Sequence, residues 1–470
     1  MRTTRLLVML ALWTLLLPSV AYAWGNGPQH GAGFGTHDWI LVTGNRFAVA
    51  RGTNWLDVAV AASATAEPDH LKGDQPNHAY DRWGKRYGTA QTRVAALYSR
   101  AVALFRAGDR TGASRTVGLL SHYYSDVCEP LNTDGSRNEK RMHDPFERAV
   151  DRALRSPSSH RSWAVYDGYT RVSGASSASA YTIAAAKKAH ASYSTLVKNF
   201  NRRGFNSTSV AIARRCVARA ANGVADLIMS VQQDAVEVTA SPNVSAHQGV
   251  AAGEGFYYVF DTTRIARYNK SWVATGTTID PLRGLDGFTK PHLGDGCEHE
   301  GKLYVVAENY PAVTNQHILV FDARTLQRLD AFPTGQTHEV SSICVAPGAN
   351  GSDALWVASY QDSTRLFEYD LGDGHFRGTR PLSPVPDAGI QGVAYHDGAM
   401  YISAGAHHGV GYLYSASAEG STTLLYTRHS TGYHEGIDFD GGTLLWLIDR
   451  GSAGSKVRYL RLPTFLATLN

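Results

Sequence analysis

A chain of 470 residues that is 43% hydrophobic and 18% charged is neither disordered nor fibrous, and it has length for two or three domains. The net charge of +4 is unevenly spread. From Ser241 onward there are 16 Lys+Arg against 23 Asp+Glu, leaving 29 against 18 before it; a basic first half suits an anionic substrate or membrane surface, and equally reflects two domains with different histories.

Residues 1–23 read as a secretory leader, with Arg2 and Arg5 at the start, an apolar core over Leu6–Leu17, and Ala21-Tyr22-Ala23 as a small-residue cleavage site. The apolar run is short for a membrane span, so the expectation is an exported, extracellular protein whose first residue after cleavage is Trp24. Cys128 and Cys216 fall in the first half, Cys297 and Cys344 in the second. In an oxidising compartment that division predicts one disulfide per half.

His37 follows Trp24 by thirteen positions, and from there to about residue 235 the periodicity is helical. Val94–Ala107, Val117–Val127, Ala184–Phe200 and Val210–Val231 place apolar residues three and four apart. A loop between helices holds Asp69, His70, Asp74 and His78. His122 and Asp126 are four apart, as are His143 and Glu147, so each pair shares a helix face and can meet one metal ion. Asp74 and Glu129 read as surface charges, with Asp74 also an alternative to Asp69 as the loop ligand.

The set Trp24, His37, Asp69, His78, His122, Asp126, His143 and Glu147 resembles the zinc-dependent phospholipase C family over residues 24–235. The resemblance implies an all-α, secreted phosphodiesterase with clustered zinc ions, two or three here. By position, Asp69, His78 and His122 would hold one zinc. Asp126 would bridge to a second, bound by the Trp24 amine and carbonyl and by His37. His143 and Glu147 would hold the third, where Asn132 stands in the slot the family fills with His. Asp69 is also the residue assigned as general base or orienter of water. Choline-preferring members carry a carboxylate and an aromatic where this chain has Gly27 and His70, so no choline preference carries over. The related S1-type nucleases have their first His sooner and end the last pair in Asp, which makes a phospholipid or other phosphodiester the expected substrate, peripheral membrane contact the expected setting, and nucleic acid an unexpected partner.

The texture changes near Val238-Thr239 to short strands and Gly-Asp turns. Units open at His247-Gln248-Gly249, His292-Leu293-Gly294, His338-Glu339-Val340, Ile390-Gln391-Gly392 and His434-Glu435-Gly436, spaced by 45, 46, 52 and 44 residues. Each is followed by two apolar strands. Repeats of this length with several strands each signal an all-β propeller. Five copies give five blades over 241–470, with four or six as alternatives, behind a helical metal domain over 24–238. The polar openers either line the axis as a ligand site or cap loops, and the second reading is preferred. A non-catalytic secreted protein, metal-stabilised and recognising its ligand through the propeller, is the alternative function.

Overall fold

A computed structural model describes residues 35–80, 88–133, 137–155, 162–278, 280–335, 338–405 and 409–468. Among them the first half forms eight α-helices: α1 (Thr36–Val49), α2 (Val58–Thr65), α3 (Ala90–Arg106), α4 (Arg110–Val127), α5 (Arg137–Leu154), α6 (Gly174–His190), α7 (Tyr193–Arg203) and α8 (Ser207–Val236). Three helices start where a side chain accepts orphan backbone N–H groups. Asp57 Oδ1 takes those of Ala59 and Val60, Asp109 that of Gly112, and Asn206 that of Ser209. The run read as Ala184–Phe200 is split at Ala191-Ser192 into α6 and α7.

Helix α4 is buried from Thr116 to Val127 and forms the middle of the bundle. It can sit there because Gly118 has no side chain: a Cβ would lie 2.1 Å from the Ala61 carbonyl oxygen of α2. The bundle thereby carries His122 and Asp126 inward.

The second half is a five-bladed propeller of four-stranded antiparallel sheets. Blade one is β2 (Gly249–Gly253), β3 (Phe256–Asp261), β4 (Arg264–Asn269) and β5 (Ala274–Thr278). Blade two is β6 (Pro291–His299), β7 (Lys302–Asn309), β8 (Thr314–Asp322) and β9 (Arg328–Pro333); blade three is β10 (Ser342–Pro347), β11 (Asp353–Ala358), β12 (Arg365–Asp370) and β13 (Phe376–Pro381). Blade four is β14 (Gly389–His396), β15 (Ala399–Gly405), β16 (Val410–Ala416) and β17 (Thr422–His429). Blade five takes β18 (Tyr433–Asp440), β19 (Thr443–Asp449) and β20 (Lys456–Leu460) from the chain end, and β1 (Glu237–Ala240) from the residues directly after α8. That mixed blade ties the two ends of the β region together and protects an otherwise open edge.

The axis is closed by Asp295 of β6, which is fully buried. Its carboxylate accepts the N–H of Val250 at 3.0 Å and of Ile437 at 3.1 Å, and the Ser342 hydroxyl at 3.3 Å, so one side chain joins blades one, two, three and five. Asp295→Ala would orphan two buried N–H groups, each costing about 1–3 kcal/mol. The expected result is a fall of that order in urea-unfolding stability with the helical content unchanged by circular dichroism.

Helical domain and propeller share a core. One apolar cluster contains Trp55, Phe105 and Ile228 together with Tyr426, Trp446 and Leu460. The Thr427 hydroxyl donates to the Gly52 carbonyl at 2.9 Å, and the Phe465 ring at the chain's end meets Phe105 edge-on at 5.0 Å. No described helix is long and apolar enough to cross a membrane.

The two expected disulfides are not formed. Cys128, Cys216, Cys297 and Cys344 are all free and buried. Each packs as a small apolar group, and burial pushes the Cys128 and Cys216 thiols up to about 12, keeping them protonated.

Candidate metal centre

Three groups of donor atoms, each within 4.8 Å of one another, form on the helical domain: His37, His122 and Asp126; Asp69, His78 and His122; and Glu129, His143 and Glu147. They come from α1, the 68–78 loop, α4, the turn after α4, and α5.

His122 belongs to two groups. Its Nδ1 lies 2.7 Å from the Thr65 carbonyl oxygen, to which it can only donate. Nε2 is thereby left facing the cluster, 3.0 Å from His78 Nδ1, 3.2 Å from Asp126 Oδ2 and 3.4 Å from Asp69 Oδ1. His37 is held the same way. Its Nδ1 is 2.7 Å from Ser125 Oγ, whose own proton goes to the Ser121 or His122 carbonyl, so Nε2 faces Asp126 Oδ1 at 3.3 Å. Fixing one ring nitrogen on a backbone or hydroxyl acceptor so that the other presents a lone pair is how proteins prepare metal-ligating histidines.

His78 comes in from a 3-10 turn, Gln75–His78, with Nδ1 2.8 Å from Asp126 Oδ2. Behind it Asp74 Oδ2 lies 3.3 Å from Nε2 and accepts the Tyr123 hydroxyl at 2.6 Å. Asp74 is therefore not an isolated surface charge. It orients His78, and Asp69 takes the place in the donor group.

The third group corrects the sequence reading. Glu129, expected on the surface, is fully buried beside His143 and Glu147. Asn132 lies against the same group: Oδ1 is 2.8 Å from His143 Nε2, facing the donors, while Nδ2 donates to the Asp126 carbonyl at 3.1 Å. His143 Nε2 is 3.0 Å from Glu147 Oε1 and 4.0 Å from Glu129 Oε2. Burial lifts the Glu147 carboxyl well above its ordinary range, and although His143 pulls the other way, Glu129 adds to the lift. Two buried carboxylates side by side call for a proton or a cation between them.

The electrostatics at the shared ligands point the same way. Burial disfavours a charged His122, yet Asp126 and Asp69 outweigh it and raise the ring to about 10. Burial also pushes Asp126 upward, and His122 with His37 more than reverse this, holding it well below the carboxylate range.

Two donors about 2.0–2.1 Å from one zinc in tetrahedral array lie roughly 3.3 Å apart. The His37–Asp126 and His122–Asp69 separations of 3.3 and 3.4 Å match that spacing. The residues present thus fit a zinc cluster. Trp24, the remaining expected ligand, lies outside the described residues.

No protein family and no curated relative matches the sequence. Solved structures do resemble its architecture: the alpha toxin of Clostridium absonum, at 12% identity and TM-score 0.36 over 77% of this chain and 97% of that one; alpha-toxin from an avian strain of Clostridium perfringens, at 11% and 0.34 over 93% and 100%; and Myxococcus xanthus glutaminyl cyclase, at 12% and 0.37 over 48% and 95%. The chain is a helical domain carrying three candidate metal-donor groups, joined to a five-bladed propeller. Its function is argued from its own side chains.

Proposed function

We propose that this protein is an exported zinc-dependent phosphodiesterase of the phospholipase C type, acting on a phospholipid or a related phosphodiester. The observation that carries the reading is the pair His37 and His122, each turned by a hydrogen bond on Nδ1 so that Nε2 meets Asp126 or Asp69 at zinc-donor spacing. His37, Asp126 and the Trp24 amine and carbonyl would hold one ion, with the amine set free by cleavage after Ala23. Asp69, His78 and His122 would hold another, and Glu129, His143 and Glu147 the third. Bound zinc would supply charge to neutralise phosphate oxygens and bring a water's pKa down to about 7.

The chain's own contribution is orientation and proton handling. Asp69 is half-buried at the margin of the cluster. Although burial pushes its carboxyl upward, His122 and His37 hold it below the usual range, so it stays ionised at neutral pH and its Oδ atoms can accept a proton from an attacking water. Asp74 and Tyr123 keep His78 in register.

Glu129 joins Asn132 as a candidate donor beside His143 and Glu147. Glu129→Gln is expected to lower bound zinc by one ion per chain, by elemental analysis, while the other two clusters keep theirs. Unchanged stoichiometry would leave that role to Asn132. The activity itself is tested by offering the leader-cleaved protein phospholipid vesicles and, separately, single-stranded DNA, with and without chelator. Release of a phosphorylated headgroup that stops on chelation supports the proposal. Cleavage of DNA alone would make it a nuclease.

A further inference from the structure

The propeller carries a second cluster of buried acids, remote in sequence from the metal centre. In every blade the inner strand begins where the second strand ends, so these ends gather at one mouth of the axis. Glu308 sits at the end of β7, opposite His292 at the start of β6. Glu339 precedes β10, Glu435 lies near the start of β18, and Asp449 ends β19. All four are buried. Asp295, deeper along β6, closes the floor.

Glu308 is the least satisfied of them. Glu308, with none of its surface exposed, accepts the Val340 N–H through Oε2 at 3.3 Å, while its Oε1 has no partner. Glu339 accepts only backbone N–H groups, that of Gln361 at 2.9 Å. Asp449 is satisfied, accepting the Gly451 N–H at 2.8 Å and the Ser455 hydroxyl at 2.9 Å and facing His247 at 3.1 Å. Among the described residues no lysine or arginine pairs with any of the four. Burial, and then Glu339, raise Glu308 to about 8; burial, and then Asp449, hold Glu435 well above its ordinary range. Buried acids without a counter-charge are costly, and a cation entering the mouth would relieve that cost.

Two aromatic side chains complete the surroundings. The Tyr360 ring packs against Gly389 at the start of β14, and its hydroxyl is raised by burial and then by the charges of Glu339 and Glu435. Tyr310, half exposed, forms the rim against His292 at a ring separation of 5.0 Å. Tyrosine faces attract ammonium groups. The spacing argues against a bare metal ion: the helical domain brings three donors within 4.8 Å three times, whereas no described residues of the propeller do so once.

We propose that the mouth of the propeller, formed by Glu308, Glu339, Glu435, Tyr310 and Tyr360, binds a small organic cation bearing an ammonium group. The site is independent of the phosphodiesterase reading.

The test uses the full-length mature protein and titration calorimetry with ethanolamine, choline and calcium chloride in turn, at matched ionic strength. Saturable binding of ethanolamine or choline is expected, weakened about tenfold or more in Glu308→Gln, the loss typical of removing a charged partner. His143→Ala, in the helical domain, should leave it unchanged. If Glu308→Gln does not fold, Tyr310→Ala on the rim replaces it, with several-fold weaker binding expected. No saturable binding of either amine, binding of calcium alone, or equal amine affinity in the variant that folds would overturn the proposal.

Discussion

His122→Ala is expected to empty the site formed with Asp69 and His78, to loosen the His37–Asp126 group against which its ring stacks at 4.0 Å, and to reduce phosphodiesterase activity by about a thousandfold or more. The ring is the one side chain common to the groups holding His37 with Asp126 and Asp69 with His78. Metal charge stabilisation in such reactions amounts to several kcal/mol, and each 1.36 kcal/mol is tenfold in rate. The fold should tolerate the change better than the activity does, because the void sits within a polar cluster. The measurements are zinc content and kcat/KM on the same preparation, with thermal unfolding to confirm that the protein is intact. Zinc and activity near the original levels would remove His122 from the centre.

The second large effect is on stability. Trp446 of β19 has no exposed surface and lies in the apolar cluster that unites blade five with the helical core. Its indole N–H donates to the Glu435 carbonyl at 3.1 Å, and its ring stands edge-on to Tyr426 at 6.3 Å. Trp446→Ala would remove a large buried ring from between two domains, a change that typically costs about 3–5 kcal/mol. Against a total of about 5–15 kcal/mol for a folded protein this is a large share. Urea unfolding should show a lower midpoint for the helical signal as well as for the β signal, because the core is shared. A loss confined to the β signal would mean that the two domains unfold independently.

The metal centre was legible in the sequence because its donors sit at helical or short-loop spacings. His122 with Asp126 and His143 with Glu147 each share one helix face, as four-residue separation requires. Glu129 was not, since it lies on the turn just beyond α4, where no helical period applies. Its signal was a lone carboxylate among residues that all turned out buried, from Tyr123 to Thr133. Asp74 was misjudged for the same reason: its role depends on Tyr123, a contact between loop and helix that spacing does not encode.

In the propeller, the second and third strands showed themselves by apolar runs, the inner strands only by their openers, and the outer strands did not show. Strands such as Arg328–Pro333 have no buried residue. Strand β1 was hidden differently. Glu237–Ala240 pairs with β20, more than two hundred residues away, so its place in blade five is a property of closure and not of local pattern. The repeated openers read as loop caps, yet Glu339 and Glu435 lie buried at the axial mouth, where no cationic side chain among the described residues pairs with them.

The measurement that bears most directly on the whole account is the zinc content of the leader-cleaved protein after dialysis into metal-free buffer, determined by elemental analysis on the sample used for a phospholipid hydrolysis assay. Three donor groups predict three zinc ions per chain and an activity that disappears on chelation and returns with zinc. A correctly cleaved, folded protein that holds no zinc would contradict the account, because the orientations of His37 and His122 would then serve no metal.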